Sequence, residues 1–191
     1  MNTSIRILLA DDHPSLRDGL ASILNAQPDL SVVAEAGTGR EAVEKFKITN
    51  PDLLIVDLRM PDGDGIQTIK ELVAIDPAVK TLVLTTYDNE EDIFSALEAG
   101  ARGYILKDTT REEIIEAVRQ IHAGNRYLPS AIAARLADRM IRPSLTPREL
   151  DVLRLVSRGR TNKEMAAAMF VTEETIKSHM KGLFQKLGVH D

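Results

Sequence analysis

Five short apolar runs alternate with five segments of helical periodicity over the first 125 residues, and this alternation constrains the fold more than any other feature. The apolar runs lie near residues 5–10, 31–34, 53–56, 80–84 and 102–106. The helical segments lie near residues 15–26, 39–48, 65–75, 90–99 and 111–123. Successive strand–helix units with right-handed crossovers build a parallel sheet with helices on both faces. The sequence therefore predicts an α/β fold with a five-stranded, parallel, doubly wound sheet.

The rest of the chain has no strand-like run and is predicted to be helical. A segment with two prolines and one short amphipathic stretch comes first, which is typical of a linker with one helix. Beyond it, Thr146 and Glu149 have the spacing of a capping box at a helix start. We therefore predict a first domain over residues 1–124, a linker over residues 125–144 and a small all-α domain over residues 145–191.

The net charge differs between the two parts of the chain. Residues 1–125 carry a net charge of −10 and residues 126–191 one of +5, within a total of −5. A basic domain is a candidate for nucleic-acid binding, although a modest positive excess is also common on solvated surfaces. The chain has no cysteine, no apolar stretch of the roughly 20 residues that a membrane-spanning helix needs, and no secretion signal at its start. We therefore expect a cytoplasmic protein without a membrane partner.

Charged side chains follow three of the predicted strands at the point where each strand ends. Asp11 and Asp12 come after the first strand, Asp57 after the third and Lys107 after the fifth, while Thr85 follows the fourth. The carboxyl ends of parallel strands meet at one edge of the sheet. Three carboxylates at that edge repel one another unless a cation neutralises them. The two adjacent acids alone could be solvated or cap the following helix, but the strand ends together predict a site.

Mg2+ is the cation that best matches this set of groups. It prefers carboxylate and carbonyl oxygens and completes its octahedron with water and phosphate oxygens. Lys107 adds a positive charge suited to a phosphoryl oxygen, and Thr85 adds a hydroxyl. A carboxylate nucleophile, a metal ion and a lysine are the groups needed to transfer a phosphoryl group onto an aspartate. The sequence therefore predicts a site for this reaction.

Nine residues occur in a characteristic order on the five strand–helix units: Asp11, Asp12, Asp57, Met60, Pro61, Gly65, Thr85, Tyr104 and Lys107. In this order the front part of the chain resembles the receiver domain of two-component response regulators, which has a flavodoxin-like fold. The resemblance implies that a sensor histidine kinase phosphorylates Asp57. It also implies that Thr85 and Tyr104 are switch residues, which move inward when the phosphoryl group arrives.

The same resemblance assigns the metal ligands. It implies that Asp12, Asp57 and the backbone carbonyl of Arg59 bind Mg2+, and that Asp11 acts through water. Lys107 is then the residue that pairs with the phosphoryl group.

Residues 161–181 have the layout of a helix-turn-helix. A short helix begins near Asn162, and a second helix begins after Thr172 and presents Lys177 and Lys181 one turn apart. The preceding helix carries an apolar stripe of Leu150, Leu153 and Val156. The residues of the second helix predicted to face the core are Ile176, Met180, Leu183 and Leu187. A basic amphipathic helix is also often just a solvated helix, so the pattern alone leaves both interpretations open.

A larger set of residues favours DNA binding over a merely solvated helix: Thr146, Arg148, Glu149, Thr161, Asn162, Glu164, Ala166, Thr172, Thr175, Lys177, His179, Lys186, Leu187, Gly188 and Val189. With these residues the region is similar to the LuxR-type DNA-binding domain that follows a receiver in the NarL/FixJ family. The similarity implies that base edges in the major groove are contacted by Lys177, Ser178 and Lys181. It implies phosphate contacts for Thr161, Asn162, Thr172, Thr175, His179 and Lys186. A packing role is an equal alternative for His179.

Two departures from the family pattern affect this domain. Gly182 lies inside the second helix of the motif, where glycine costs up to about 1 kcal/mol relative to alanine, and it predicts a less rigid helix. The family also has a fourth helix after Gly188 and Val189, which supplies a dimer contact. Since the chain ends at Asp191, we expect it to stop before that helix, to expose the leucines that the helix would cover, and to bind DNA weakly.

Together the two resemblances imply a transcriptional regulator with no dedicated enzyme activity beyond loss of its own phosphoryl group. Phosphorylation of Asp57 would favour a homodimer that binds two half-sites of promoter DNA, with RNA polymerase as a further candidate partner. Two alternatives are open. A metal-dependent phosphatase with Asp57 as nucleophile would need an acid two residues later, where this chain has Arg59. A regulator that senses a ligand without phosphorylation would not need the pair of Asp57 and Lys107.

Overall fold

The structure is a computed structural model that describes residues 4–61, 63–141 and 145–187, except for the side chains of residues 63, 64 and 138–141. The chain divides into two compact units, Met1–Arg139 and Met140–Asp191. The first unit is α/β and the second is all-α, so the predicted fold class is confirmed. Part of the predicted linker, and Gly188 and Val189, which precede the family's fourth helix, lie outside the described residues.

The first unit is built around a parallel sheet. Its five strands are β1 (Ile5–Ala10), β2 (Leu30–Ala36), β3 (Leu53–Val56), β6 (Thr81–Thr85) and β7 (Gly103–Leu106). They pair in the order β2-β1-β3-β6-β7, and every neighbouring pair is parallel. The chain moves outward from β1 to β2 and then crosses back to β3, so a topological switch point lies between β1 and β3.

Helices cover both faces of this sheet. They are α1 (Pro14–Asn25), α2 (Gly39–Thr49), α3 (Gly65–Ile75), α4 (Glu90–Ala99) and α5 (Arg111–His122). Leu8, Leu54 and Val56 pack with α2, α3 and α4, whereas Ile7 and Leu9 pack with α1 and α5. Because successive strand residues point to opposite faces, these apolar strands fill two cores at once.

A short antiparallel hairpin, β4 (Arg59–Met60) with β5 (Gly63–Asp64), follows β3 and was not predicted from the sequence. Helix α3 begins directly after it at Gly65, whose N–H donates to the carbonyl oxygen of Leu58 at 2.8 Å. A Cβ atom at Gly65 would lie 2.1 Å from the carbonyl oxygen of Asp57. Glycine therefore lets α3 start against the backbone of Asp57, and a larger residue would displace that aspartate.

Helix α6 (Ser130–Ile141) packs on the first unit through the side chain of Ile132, which is only 2% exposed. Arg135 also pairs with Asp88, with 2.7 Å between Nη2 and Oδ2. Full burial of an isoleucine contributes roughly 1.5–3 kcal/mol, whereas an exposed ion pair contributes about 0–1 kcal/mol. The docking of α6 therefore depends mainly on Ile132.

The second unit contains α7 (Pro147–Val156), α8 (Asn162–Met169) and α9 (Glu173–Leu187). The predicted capping box is present, because Thr146 Oγ1 accepts from the Glu149 N–H at 3.3 Å and Glu149 Oε2 accepts from the Thr146 N–H at 2.6 Å. The buried residues of the core are Val152, Met165, Ala166, Ile176 and Leu183.

Leu187, which was predicted to face this core, does not lie in it, and Leu150 of the predicted apolar stripe is exposed as well. Leu150 is 40% exposed and Leu187 is 47% exposed. The buried apolar residue of α7 is Val152, and Leu150, two positions earlier, points about 160° away from it around the helix. Leu187 is the last described residue of α9, one turn beyond the buried Leu183.

Gly182 permits a close approach between α9 and α7. A Cβ atom at this position would lie 2.8 Å from Oε1 of Glu149. Helix α9 runs continuously through Gly182 to Leu187. The glycine is therefore explained by the space that Glu149 occupies.

Candidate functional site

The acidic residues at the carboxyl edge of the sheet are placed by main-chain hydrogen bonds between neighbouring strands. The N–H of Asp11 donates to the carbonyl oxygen of Ala36 at 3.0 Å, and the N–H of Asp57 donates to that of Ala10 at 2.8 Å. Asp11 and Asp57 are each 4% exposed, and Asp12 is half-buried. The fold thus brings the three predicted carboxylates together in a place with little solvent.

Lys107 bridges two of these carboxylates. Its Nζ lies 2.6 Å from Oδ2 of Asp11 and 2.6 Å from Oδ2 of Asp57. The main-chain N–H of Lys107 donates to the carbonyl oxygen of Thr85 at 2.8 Å. Burial by itself lowers the pKa of Lys107, but the hydrogen bonds to Asp11 and Asp57 outweigh it and raise the pKa above the ordinary value. Lys107 therefore stays protonated beside Asp57 at neutral pH.

The acidic cluster has ligand atoms that suit a divalent cation. Oδ1 of Asp12 is buried and has no hydrogen-bond partner among the described residues, although Nδ1 of His13 lies 2.7 Å away. One donor atom each from Asp11, Asp12, His13 and Asp57 lies within 4.8 Å of the others. His13 was missed in the sequence analysis, although its position directly after the two acids was a signal for it.

The two predicted switch residues lie on adjacent strands next to this cluster. Thr85 is fully buried, and its Oγ1 accepts from the N–H of Tyr87 at 3.5 Å. Tyr104 is also fully buried, and its hydroxyl donates to the carbonyl oxygen of Tyr87 at 2.6 Å. Burial raises the pKa of Tyr104, and the carboxylates of Asp92 and Asp88 raise it further. In this structure Tyr104 lies inward and holds the segment that follows Thr85.

Arg59 contacts Tyr87 of the same segment and Asp92 of α4. Its Nη2 lies 3.0 Å and 3.2 Å from the two carboxylate oxygens of Asp92, and its guanidinium carbon lies 4.9 Å from the centre of the Tyr87 ring. These side-chain contacts could not be found in the sequence analysis, which assigned only the backbone carbonyl of Arg59 as a metal ligand. A guanidinium is not deprotonated in proteins, so Arg59 cannot be the general acid that the phosphatase alternative needs.

The residues predicted to read DNA bases share the solvent-facing side of α9. Lys177, Ser178 and Lys181 are all exposed, whereas Ile176 and Leu183 of the same helix are buried. These three residues therefore lie on a different face of α9 from Ile176 and Leu183, as the sequence predicted.

Some residues predicted to contact phosphates also have structural roles. Thr161 caps α8, and Oγ1 of Thr172 lies 2.9 Å from Oγ1 of Thr175 at the start of α9. Thr161 and Thr172 are exposed, while Asn162, Thr175 and His179 are partly exposed. A threonine that caps a helix start remains beside the main-chain N–H groups that attract anions, so both roles are compatible.

Lys186, another predicted phosphate contact, forms an ion pair inside the second unit. Its Nζ lies 2.7 Å from Oε2 of Glu149, the same oxygen that accepts from the N–H of Thr146. The Lys186 hydrogen bond lowers the pKa of Glu149 most, and the bond from Thr146 adds to it, so the pKa falls from 4.5 to about 2. This carboxylate joins α7 to α9.

We expect Glu149→Gln to lower the melting temperature of the second unit at pH 7. The charged carboxylate contributes stability above pH 4.5, and this contribution disappears as the pH falls from 4.5 to about 2. The difference between the variant and the unchanged protein should therefore shrink over that range in circular-dichroism melts. Glu164→Gln is the matched control, because Glu164 occupies a capping box but is more exposed. An equal loss in both variants would contradict a special role for the Glu149 pair.

The fold, the acidic edge and the helix-turn-helix define a class of protein, and comparison with known sequences identifies it. Residues 7–119 match the family described as response regulator receiver domain, and residues 143–191 match the family described as bacterial regulatory proteins, luxR family. The chain belongs to the two-component response regulators that carry a LuxR-type DNA-binding domain. None of the described helices has the length and apolar character needed to cross a membrane.

Individual members of this family are similar to the chain over nearly its full length. The uncharacterized transcriptional regulatory protein YhcZ of Bacillus subtilis is 42% identical over 196 residues, which cover 98% of this chain and 91% of the relative. RcsB of Salmonella typhimurium is similar in structure, with a TM-score of 0.87, 28% identity and coverage of 98% and 95%. RcsB in a complex with DNA gives a TM-score of 0.78 at 28% identity, with coverage of 99% and 94%.

Proposed function

We propose that this response regulator controls transcription after a sensor histidine kinase phosphorylates Asp57. The observation that carries the proposal is the position of Lys107, whose ammonium group lies 2.6 Å from carboxylate oxygens of both Asp57 and Asp11. Such a cation can neutralise a phosphoryl oxygen as it arrives at Asp57. Asp57 and Asp11 are buried, and a carboxylate beside an ammonium group is suited to forming an aspartyl phosphate.

In the proposed reaction a carboxylate oxygen of Asp57 attacks the phosphorus of a phosphohistidine. The new O–P bond forms as the P–N bond to the kinase histidine breaks, and Lys107 stays protonated throughout. Mg2+, held by Asp12, Asp57 and the carbonyl of Arg59, with Asp11 acting through water, would offset charge on the phosphoryl oxygens when it is bound. Water later cleaves the acyl phosphate, which returns Asp57 to its free form.

The consequence that we propose is a shift toward a DNA-binding homodimer. Thr85 and Tyr104 both contact Tyr87, so a change at Asp57 that moves Thr85 also moves the segment leading into α4. The dimer would bind promoter DNA in the cytoplasm with Lys177, Ser178 and Lys181 in the major groove. RNA polymerase is then a further partner at the promoter.

Selection from random DNA tests this function in the intact chain. We expect acetyl phosphate with Mg2+ to enrich a common two-part DNA sequence and to shift the protein from monomer to dimer in sedimentation experiments. Protein without acetyl phosphate should enrich the sequence weakly and sediment as a monomer. Equal enrichment and equal mass under both conditions would contradict control by phosphorylation.

A further inference from the structure

The segment that follows α5 returns to the edge of the parallel sheet and pairs with its last strand. The main-chain N–H of Tyr127 donates to the carbonyl oxygen of Arg102 at 3.0 Å, and the N–H of Tyr104 donates to the carbonyl oxygen of Tyr127 at 3.1 Å. Gly103 allows this close approach, because a Cβ atom there would lie 3.0 Å from the Tyr127 oxygen. The chain after α5 is therefore attached to β7 by a parallel bridge.

Helix α6 continues this attachment over the core that contains Tyr104. Ile132 is a buried member of that core, and the partly buried Leu128 and Leu136 pack against it. We call residues 127–136 the linker strap. The linker strap is thus fixed to the first unit at its start by β7 and in its middle by Ile132.

The far end of the linker strap holds the segment that leads from Thr85 into α4. Arg135 donates from Nη1 to the carbonyl oxygen of Asp88 at 3.0 Å, and its Nη2 lies 2.7 Å from Oδ2 of the same residue. The carbonyl oxygen of the preceding residue, Tyr87, accepts from the Tyr104 hydroxyl at 2.6 Å. The linker strap and the two predicted switch residues therefore act on the same short segment.

A movement of Thr85 toward Asp57 would strain the attachments of the linker strap unequally. The side chains of Arg135 and Asp88 are 47% and 49% exposed, whereas Ile132 is only 2% exposed. An exposed ion pair contributes less to stability than a buried isoleucine does. If the segment moves, the Arg135 contact is therefore the one that breaks, while Ile132 stays in the core.

We propose that the contact between Arg135 and Asp88 is a latch on α6 that phosphorylation of Asp57 opens. The inference rests on the proposed function, in which Asp57 accepts the phosphoryl group and Thr85 responds to it. The closed latch holds the part of α6 from Arg135 onward on the receiver, and the open latch frees it. Since residues 142–146 alone separate α6 from α7, the change would reach the chain directly before the DNA-binding unit.

Hydrogen–deuterium exchange of the full chain measures the state of the latch. We expect acetyl phosphate with Mg2+ to raise amide exchange in Ser130–Ile141 by about two- to fivefold, the size expected for one exposed ion pair, and to leave Gly39–Thr49 of α2 unchanged. Arg135→Ala should show the raised exchange without acetyl phosphate. Asp57→Ala should show no increase when acetyl phosphate is added.

The outcomes separate the latch from the function on which it rests. Equal exchange of α6 before and after phosphorylation, in protein that mass spectrometry shows to be labelled on Asp57, would overturn the latch and leave the proposed function intact. Absence of label from Asp57 in the unchanged protein would overturn the proposed function itself.

Beryllofluoride, a reversible mimic of a phosphoryl group, gives a second readout. Because coupling between two sites is reciprocal, loss of the latch should favour occupation of Asp57. We expect Arg135→Ala and Asp88→Ala each to raise the affinity for beryllofluoride with Mg2+ by about two- to fivefold in a 19F NMR titration, and the double variant to add little more. Arg111→Ala is the matched control, since Arg111 forms an exposed ion pair with Glu112 in α5, and it should leave the affinity unchanged. An unchanged or lower affinity in Arg135→Ala would overturn the latch.

Discussion

Labelling by acetyl phosphate in the presence of Mg2+ is expected to fall to background when Asp57 is replaced by alanine. Asp57 supplies the carboxylate oxygen that would form the acyl phosphate, and its Oδ2 lies 2.6 Å from the ammonium nitrogen of Lys107. The variant retains an ion pair for Lys107, because Asp11 lies at the same distance. Loss of label should therefore occur without unfolding, which circular dichroism at neutral pH can verify.

The matched control for this experiment is Asp18→Ala. Asp18 is an exposed aspartate on α1 and lies outside the acidic cluster, so this variant should be labelled as fully as the unchanged protein. Full labelling of Asp57→Ala would contradict the assignment of Asp57 as the phosphoryl acceptor and would point to Asp11 or Asp12 instead. Mass spectrometry of the labelled peptide distinguishes these residues.

The second large effect is expected at the DNA-binding face, where Lys181→Ala should weaken specific DNA binding by about 1–3 kcal/mol, or roughly 5- to 150-fold. Lys181 is exposed on α9, one turn beyond Lys177. A lysine that contacts a base edge contributes to sequence preference as well as to charge attraction. Gel-shift titration with the selected DNA and with a scrambled sequence measures both contributions.

Arg154→Ala separates the effect of position from the effect of charge. Arg154 lies on α7, where its side chain is largely exposed and pairs with Asp151. Its removal deletes the same unit of charge, and we expect less than about a twofold change for the selected DNA. If Lys181→Ala weakens the selected and scrambled DNA equally, Lys181 contacts phosphate and does not read a base.

The fold could be predicted because its strands are nearly all apolar and end at turn-forming or charged residues. Leu53, Leu54, Ile55 and Val56 are all buried, as expected for a strand covered on both faces. The strand ends then fixed the places of Asp57 and the other charged groups, since parallel strands share one carboxyl edge. Where a pattern was weaker, the prediction failed, as it did for Leu187 at the end of α9.

Contacts that depend on side-chain direction could not be predicted. Arg59 and Tyr87 are far apart in sequence, and only the packing of the segment after β6 against β4 brings the guanidinium over the ring. The place of His13 beside the acids depends on the extended backbone before α1, which residue spacing does not reveal. The role of Gly182 likewise depends on Glu149 of another helix.

The packing of α6 on the first unit has a consequence for modular evolution and for protein engineering. Ile132 belongs to the core that also contains Tyr104, so this helix is part of the receiver as a folding unit and not merely a tether. Exchange of output domains between regulators of this type would preserve the receiver only if the crossover lies beyond α6. A chimera spliced at residue 124 would instead expose the apolar surface of the receiver that Ile132 covers, because the foreign domain lacks a helix that fits it.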